Sequence, residues 1–187
     1  MTSVLSKLTY EEFQTLPRDG SKRLELIEGE VYMTPSPNTK HQRTVVKLLR
    51  LLGDHVEQQD LGEVFIAPYD IVLSKWTALE PDLLFIRKDR ASIVTDANVA
   101  GAPDLVIEIL SPSNKAYDRK TNLRAYEKAG VPEIWYFDPE EQTAEILNLG
   151  GDGFYVVTAK LSGDAALVSK ALPRLPLTLN RVFAATP

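Results

Sequence analysis

The stretch 102-APDLVIEILSPS-113 decides how the rest of the chain is read. From Pro103 to Leu110, Val, Ile and Leu fall at both alternating positions, the pattern of a central strand covered on both faces. Pro103 suits only the start of such a strand, because it has no N–H to give to the ladder. Glu108 stands where an apolar residue is expected. An ionised carboxylate there is costly unless a cation or a hydrogen-bond network compensates it. Glu108 is therefore the first candidate for function; the plainer alternative is a salt-bridged core glutamate.

The same pattern stands upstream in 79-LEPDLLFI-86, with Pro-Asp at a strand entrance followed by an apolar run. Two aspartates could partner Glu108. Asp104 is four residues back on the same strand, roughly 13 Å away at about 3.3 Å per residue. Neighbouring strands lie only about 4.8 Å apart, so Asp82 on an adjacent strand could share one metal ion with Glu108. Asp82 is the preferred partner, and Asp104 reads as a strand-entry residue.

Composition narrows the chemistry. A chain of 187 residues, 44% hydrophobic and 25% charged, suits one domain over residues 1–187, with a core at about 22–140. No apolar run approaches the length of a membrane span and residues 1–9 lack a signal-peptide core, so a cytoplasmic protein with no membrane contact is expected. The absence of cysteine excludes disulfides, thiol catalysis and Cys-based zinc sites. His41 and His55 are the only histidines, so a bound metal would be held by oxygen, which favours Mg²⁺ or Mn²⁺. A net charge of −5 argues against coating nucleic acid by charge alone, but leaves room for a nucleic-acid enzyme with an acidic metal site.

Working outward, Thr9 and Glu12 form a capping box for a short helix with Tyr10, Phe13 and Leu16 inward. The run 22-KRLELIEGEVYM-33 reads as a hairpin about Glu28-Gly29, with Glu25 either an inward acid or a solvated strand residue. Residues 38–57 form the strongest helix: Val45, Leu48, Leu49, Leu52 and Val56 make one apolar stripe, with His41 at its edge. Residues 62–73 read as a strand with an irregularity at Pro68, followed by 79–86, a polar loop over 87–101, and the opening strand. Ser113 caps a helix through Ala129, Gly130 stops it, and 133-EIWYF-137 is the next strand. Residues 143–149 and 154–159, joined by GGDG, make a C-terminal hairpin, and the tail beyond Leu161 is weakly patterned. The resulting fold class is α/β (α+β).

The order helix, three strands with PD and then an embedded Glu, helix, strand resembles the PD-(D/E)XK nuclease core. More specifically, the chain resembles the Uma2 family of restriction-endonuclease-like proteins over roughly residues 8–160. The blocks that carry the likeness are LELIEGEVYM followed by His41, EPDLLFI, PDLVIEILSPSN and YDRKTNLRAYEKAGVPEIWYFDP. The resemblance implies a restriction-endonuclease-like mixed sheet flanked by helices, and a metal-dependent endonuclease with DNA as substrate. Asp82 and Glu108 would be its catalytic and metal-holding acids, Glu25 and His41 further matching positions, and a homodimer a possible assembly.

The chain departs from the motif at its lysine, since Leu110 stands two residues after Glu108. The family usually carries this lysine on the following helix, at the position of Asn122 here. Asn has no charge to lower a water's pKa or to stabilise an anionic transition state. Lys120 is the nearest catalytic substitute, although it lies about 200° around a helix from Asp118 where position 122 lies about 40° away. Lys115 could also reach the strand ends. Arg119, Arg124 and Lys128 could add a phosphate-binding face, or be simply solvated. The alternative to an active nuclease is a weak or inactive nuclease-like module that binds nucleic acid or a protein. A carboxylate-pair glycosidase fits poorly, for lack of an aromatic-lined sugar cleft.

Overall fold

A computed structural model describes residues 7–17, 23–34, 36–111 and 121–184. In chain order the elements are α1 (Tyr10–Gln14), β1 (Arg23–Ile27), β2 (Glu30–Thr34), α2 (Thr39–Gln58), β3 (Gly62–Ile66), β4 (Ile71–Ser74), β5 (Thr77–Leu79), β6 (Leu83–Arg87), a 3-10 turn (Lys88–Ile93), β7 (Leu105–Ile109), α3 (Leu123–Ala129), β8 (Glu133–Asp138), β9 (Thr143–Leu149), β10 (Tyr155–Ser162) and α4 (Leu179–Phe183). The strands form two sheets, a large one in the order β10-β9-β8-β7-β6-β3 and a small one in the order β2-β1-β5-β4.

The apolar run Leu105–Ile109 is β7, and all five of its residues are buried. It pairs antiparallel with β6 and parallel with β8. A parallel pair needs a crossover connection, and the segment ending in α3 supplies it. The large sheet is thus mixed and flanked by helices, as expected.

Each face of β7 has its own cover. Leu105, Ile107 and Ile109 pack against Val45, Leu48, Leu52 and Val56 of α2. Leu49 lies partly buried beside them. On the other face Val106 and Leu110 meet Ala125 and Tyr126 of α3 and Ile27, Ile71 and Leu79 of the small sheet. Helix α1, closed by the Thr9–Glu12 capping box, packs Tyr10 and Phe13 against Leu26 and Ala78 on the small sheet.

Two runs read as single strands are each divided between the sheets. Residues 62–73 split into β3 in the large sheet and β4 in the small one, on either side of Pro68. Residues 79–86 split likewise, with Glu80-Pro81-Asp82 carrying the chain from β5 to β6. Proline cannot donate to a ladder, and an alternating pattern does not say which sheet a strand joins. The hairpin at β1 and β2 turns through Glu28 and Gly29, both at positive φ (53° and 85°). Such a turn matches the twist of the flanking strands, and glycine tolerates it best.

The weakly patterned tail is part of the core. Leu167, Leu172, Leu175, Leu177, Leu179 and Val182 pack on the α2 face of the large sheet. Isolated leucines in an irregular segment carry no periodicity, so this packing leaves no sequence signature. Helix α3 ends at Gly130, which adopts the left-handed conformation at φ 76°. The Ser113 cap and the segment 113–120, with Lys115, Asp118, Arg119 and Lys120, lie outside the described residues. Among the described residues no helix is long and apolar enough to cross a membrane.

Candidate active site

The register of β6 against β7 pairs Leu83 with Ile107 and Leu84 with Val106. Asp82 stands one residue before β6, where one further step of the same register would face Glu108, and it accepts the Ile109 N–H. Opposite residues of an antiparallel pair project to the same face, here the one covered by α3 and the small sheet. Both acids are buried. Glu108 in turn lies beside Tyr136 on β8.

Asp82 is held by three donors. Arg23 Nη2 donates to Oδ1 at 2.8 Å, while His41 Nε2 and the Ile109 N–H donate to Oδ2 at 3.0 and 2.8 Å. Burial pushes this carboxyl up, but the His41 hydrogen bond, the Arg23 charge and the Ile109 N–H outweigh it. Asp82 therefore stays below the usual carboxylate range. The imidazole is brought within reach by the first turn of α2, where Asn38 Oδ1 caps the helix by accepting the His41 N–H at 2.9 Å. His41 Nδ1 is buried and meets no partner among the described residues.

Glu108 accepts a 2.6 Å hydrogen bond from the Tyr126 hydroxyl. Burial pushes the Tyr126 phenol well above its ordinary value, and the charges of Glu108 and Glu25 push it further. Tyr126 thus remains a proton donor at any physiological pH. Glu25 reaches this cluster from the small sheet and accepts the Glu80 N–H at 3.3 Å. Both faces of β1 are covered, Leu26 by α1 and Ile27 on the side of the large sheet, and Glu25 is buried, so of its two readings the inward acid is the one observed.

Arg23 closes the cluster. Its Nε lies 3.0 Å from Glu80 Oε1 while Nη2 holds Asp82. Burial opposes the charged guanidinium, yet the charges of Asp82, Glu108 and Glu80 prevail and raise its pKa above the ordinary value.

The fold thus gathers Asp82, Glu108, Glu25 and His41. Asp104 lies apart, as expected: it accepts the Arg87 N–H at 3.0 Å and pairs with Arg90 at 2.9 Å. Asn122 is buried one turn before Tyr126 on the same helical face, and its Oδ1 meets no partner among the described residues. Lys120 lies outside the described residues. The sequence reading missed Arg23 and Glu80. The signal was there, since Arg23 shares strand parity with Glu25 and Glu80 stands two residues before Asp82.

A family model described as "Putative restriction endonuclease", Uma2, matches residues 10–180. The chain belongs to the Uma2 family. A relative in Synechocystis sp. (strain PCC 6803), "Uncharacterized protein slr1290", is 26% identical over 122 residues, 64% of this chain and 62% of its own. The match therefore spans less than two thirds of that relative's length. The Uma2 chain also superposes on a crystal structure from Anabaena variabilis described as "a putative nuclease belonging to DUF820". The TM-score is 0.78 at 24% identity, over 95% of this chain and 98% of that one. This likeness shows the fold.

The donor types suit the divalent ion that a Uma2 nuclease would use. Oxygen ligands from buried carboxylates are what hard cations such as Mg²⁺ and Mn²⁺ take, and cysteine is absent. Their arrangement differs from a finished metal centre: among the described residues no three His, Asp or Glu side chains converge on one point. At Asp82 the positive charge is supplied by Arg23.

Proposed function

We propose that this protein is a Mg²⁺- or Mn²⁺-dependent endonuclease that hydrolyses phosphodiester bonds in DNA. The carrying observation is the buried pair Asp82 and Glu108, Asp82 at the entrance to β6 and bonded to the Ile109 N–H beside Glu108, with Glu25 and Glu80 close by. The family description supports the nuclease reading. Asp82 and Glu108 would hold the ion, with Glu25 and the Ile109 carbonyl as further oxygen donors. When bound, such an ion supplies Lewis acidity, lowering the pKa of a water and neutralising charge at phosphorus.

The chain's own residues would prepare this site. His41 and the Ile109 N–H orient Asp82 and keep it ionised, and Tyr126 orients Glu108 while keeping its own proton. Lys120 is the proposed cation for orienting the attacking water. The reading carries a cytoplasmic location and allows a homodimer that cuts both strands.

The test is cleavage of supercoiled plasmid with Mn²⁺, Mg²⁺ or EDTA. Wild-type protein should nick it only with metal. Asp82→Asn and Glu108→Gln should lower the rate by roughly 10²-fold or more, the scale of losing one preorganised electrostatic group. Plasmid that stays intact with either metal rejects the reading.

A second reading is favoured by Asn122, which stands where the resemblance expects a lysine. A nuclease-like module that binds nucleic acid or a protein without cutting would need no charge at that position. Retention of DNA by wild-type protein, with no product in Mn²⁺, would select this reading.

A further inference from the structure

We propose that Arg23 is a built-in counter-ion occupying the cation's place at Asp82, so that a divalent ion binds only when the guanidinium swings out toward solvent. The inference rests on the reading of Asp82 and Glu108 as the metal-holding pair.

Lone-pair accounting at Asp82 leads to it. A carboxylate oxygen offers two acceptor sites. Oδ2 has both in use, one with His41 Nε2 and one with the Ile109 N–H. Only Oδ1 retains capacity, and Arg23 Nη2 sits against it at 2.8 Å. A cation approaching Asp82 must therefore come to the oxygen that the guanidinium holds. Two positive charges sharing one carboxylate in a poorly solvated site repel strongly, so the two cations compete.

The position of Arg23 makes the exchange feasible. Its side chain is 24% exposed, whereas those of Glu80 and Asp82 are 9% and 4% exposed. Arg23 is thus the outer layer over a buried acidic group, and its long stem can carry the charge into water without opening a hole in the core. It is also the first residue of β1, on the terminal rung of its ladder with β2. Without a metal, the guanidinium offsets the cost of burying Asp82 beside Glu80 and Glu108. With one, it becomes redundant.

The experiment is a calorimetric Mn²⁺ titration of wild type, Arg23→Gln and Arg23→Lys at constant pH and ionic strength. Unfolding temperatures are measured with and without Mn²⁺. Removing a charge-assisted, two-pronged contact should tighten Mn²⁺ binding by roughly 10- to 100-fold in Arg23→Gln. Arg23→Lys keeps the charge but loses the planar fork, and should fall between the two. Without metal, Arg23→Gln should melt below wild type, and saturating Mn²⁺ should restore it.

Unchanged or weaker Mn²⁺ binding in the variants would overturn the proposal, because Arg23 would then be scaffolding for the site. Absence of binding in all three proteins at millimolar Mn²⁺ overturns it equally, since freeing Oδ1 should expose the ion's seat. If Arg23→Gln is unfolded without metal, the Arg23→Lys comparison with wild type decides alone. Plasmid cleavage is scored separately. Tighter Mn²⁺ binding without cleavage upholds the counter-ion and removes the nuclease; cleavage with unchanged affinity does the reverse.

Discussion

The Tyr126 hydroxyl donates to Glu108 Oε1 at 2.6 Å, joining a helix to the central strand through a wholly buried contact. A hydrogen bond to an ionised acceptor contributes about 1.5–3 kcal/mol. Tyr126→Phe keeps the ring in its pocket and deletes only that donor. We expect a loss of stability of this size, seen as a melting temperature several degrees lower. An unchanged melting temperature would mean that Glu108 does not depend on Tyr126.

Acid should weaken the fold through Asp82. Its carboxyl is held below the ordinary range in the folded protein, whereas in the unfolded chain it returns to about 3.9. The unfolded state binds the proton more readily, so the contribution is complete above about pH 4 and is lost as pH falls toward the folded value. Urea unfolding at a series of pH values should show this acid limb in wild type. In Asp82→Asn it should be shallower, and equal steepness in both would assign the limb to other groups.

Asn122 offers a gain-of-function test. Its side chain is buried on the helical face that carries Tyr126, and its Oδ1 has no partner among the described residues. A lysine there would bring a charge toward Glu108. If position 122, and not Lys120, is the seat of the missing charge, Asn122→Lys should raise Mn²⁺-dependent plasmid nicking by about 10²–10³, the worth of one preorganised stabilising group. If nicking is unaltered, the required charge comes from another residue.

Glu133 ties the C-terminal segment to the sheet. Its Oε2 accepts the N–H groups of Lys170 and Ala171 at 2.8 and 3.1 Å, and Oε1 accepts Trp135 Nε1 at 2.6 Å. The carboxylate is almost wholly buried. Glu133→Gln replaces an acceptor oxygen by an NH₂ group and should cost about 2–4 kcal/mol. Hydrogen exchange should show residues 167–183 losing protection before β7 and β8. Uniform loss across the protein would place Glu133 in the global core.

Much of this architecture was legible because its signals are local. The double-sided apolar run at Leu105–Ile109 required a central strand, and the stripe through Val45, Leu48 and Leu52 required a helix against it. The spacing argument that preferred Asp82 to Asp104 needed only strand geometry, and Asp82 lies against β7, accepting the Ile109 N–H. Gly130 marks a helix end by capping chemistry that a few residues determine.

Other features depend on contacts between distant segments, which no local pattern encodes. Pro68 and Pro81 announced interruptions, but only packing decided that the chain crosses between two sheets at those points. That crossing brings Glu80 and Asp82 under Arg23 from β1, 57 and 59 residues away by their numbers. The leucines after residue 161 have no period, and their burial follows from contacts with α2 and the large sheet. Sequence alone thus determined that Glu108 interrupts a central strand and that Asp82 stands at the entrance of another, because those patterns are local to each run. Tertiary structure decided which cation meets them, because the cost of burying a carboxylate is met by whatever charge the fold brings within a few ångströms.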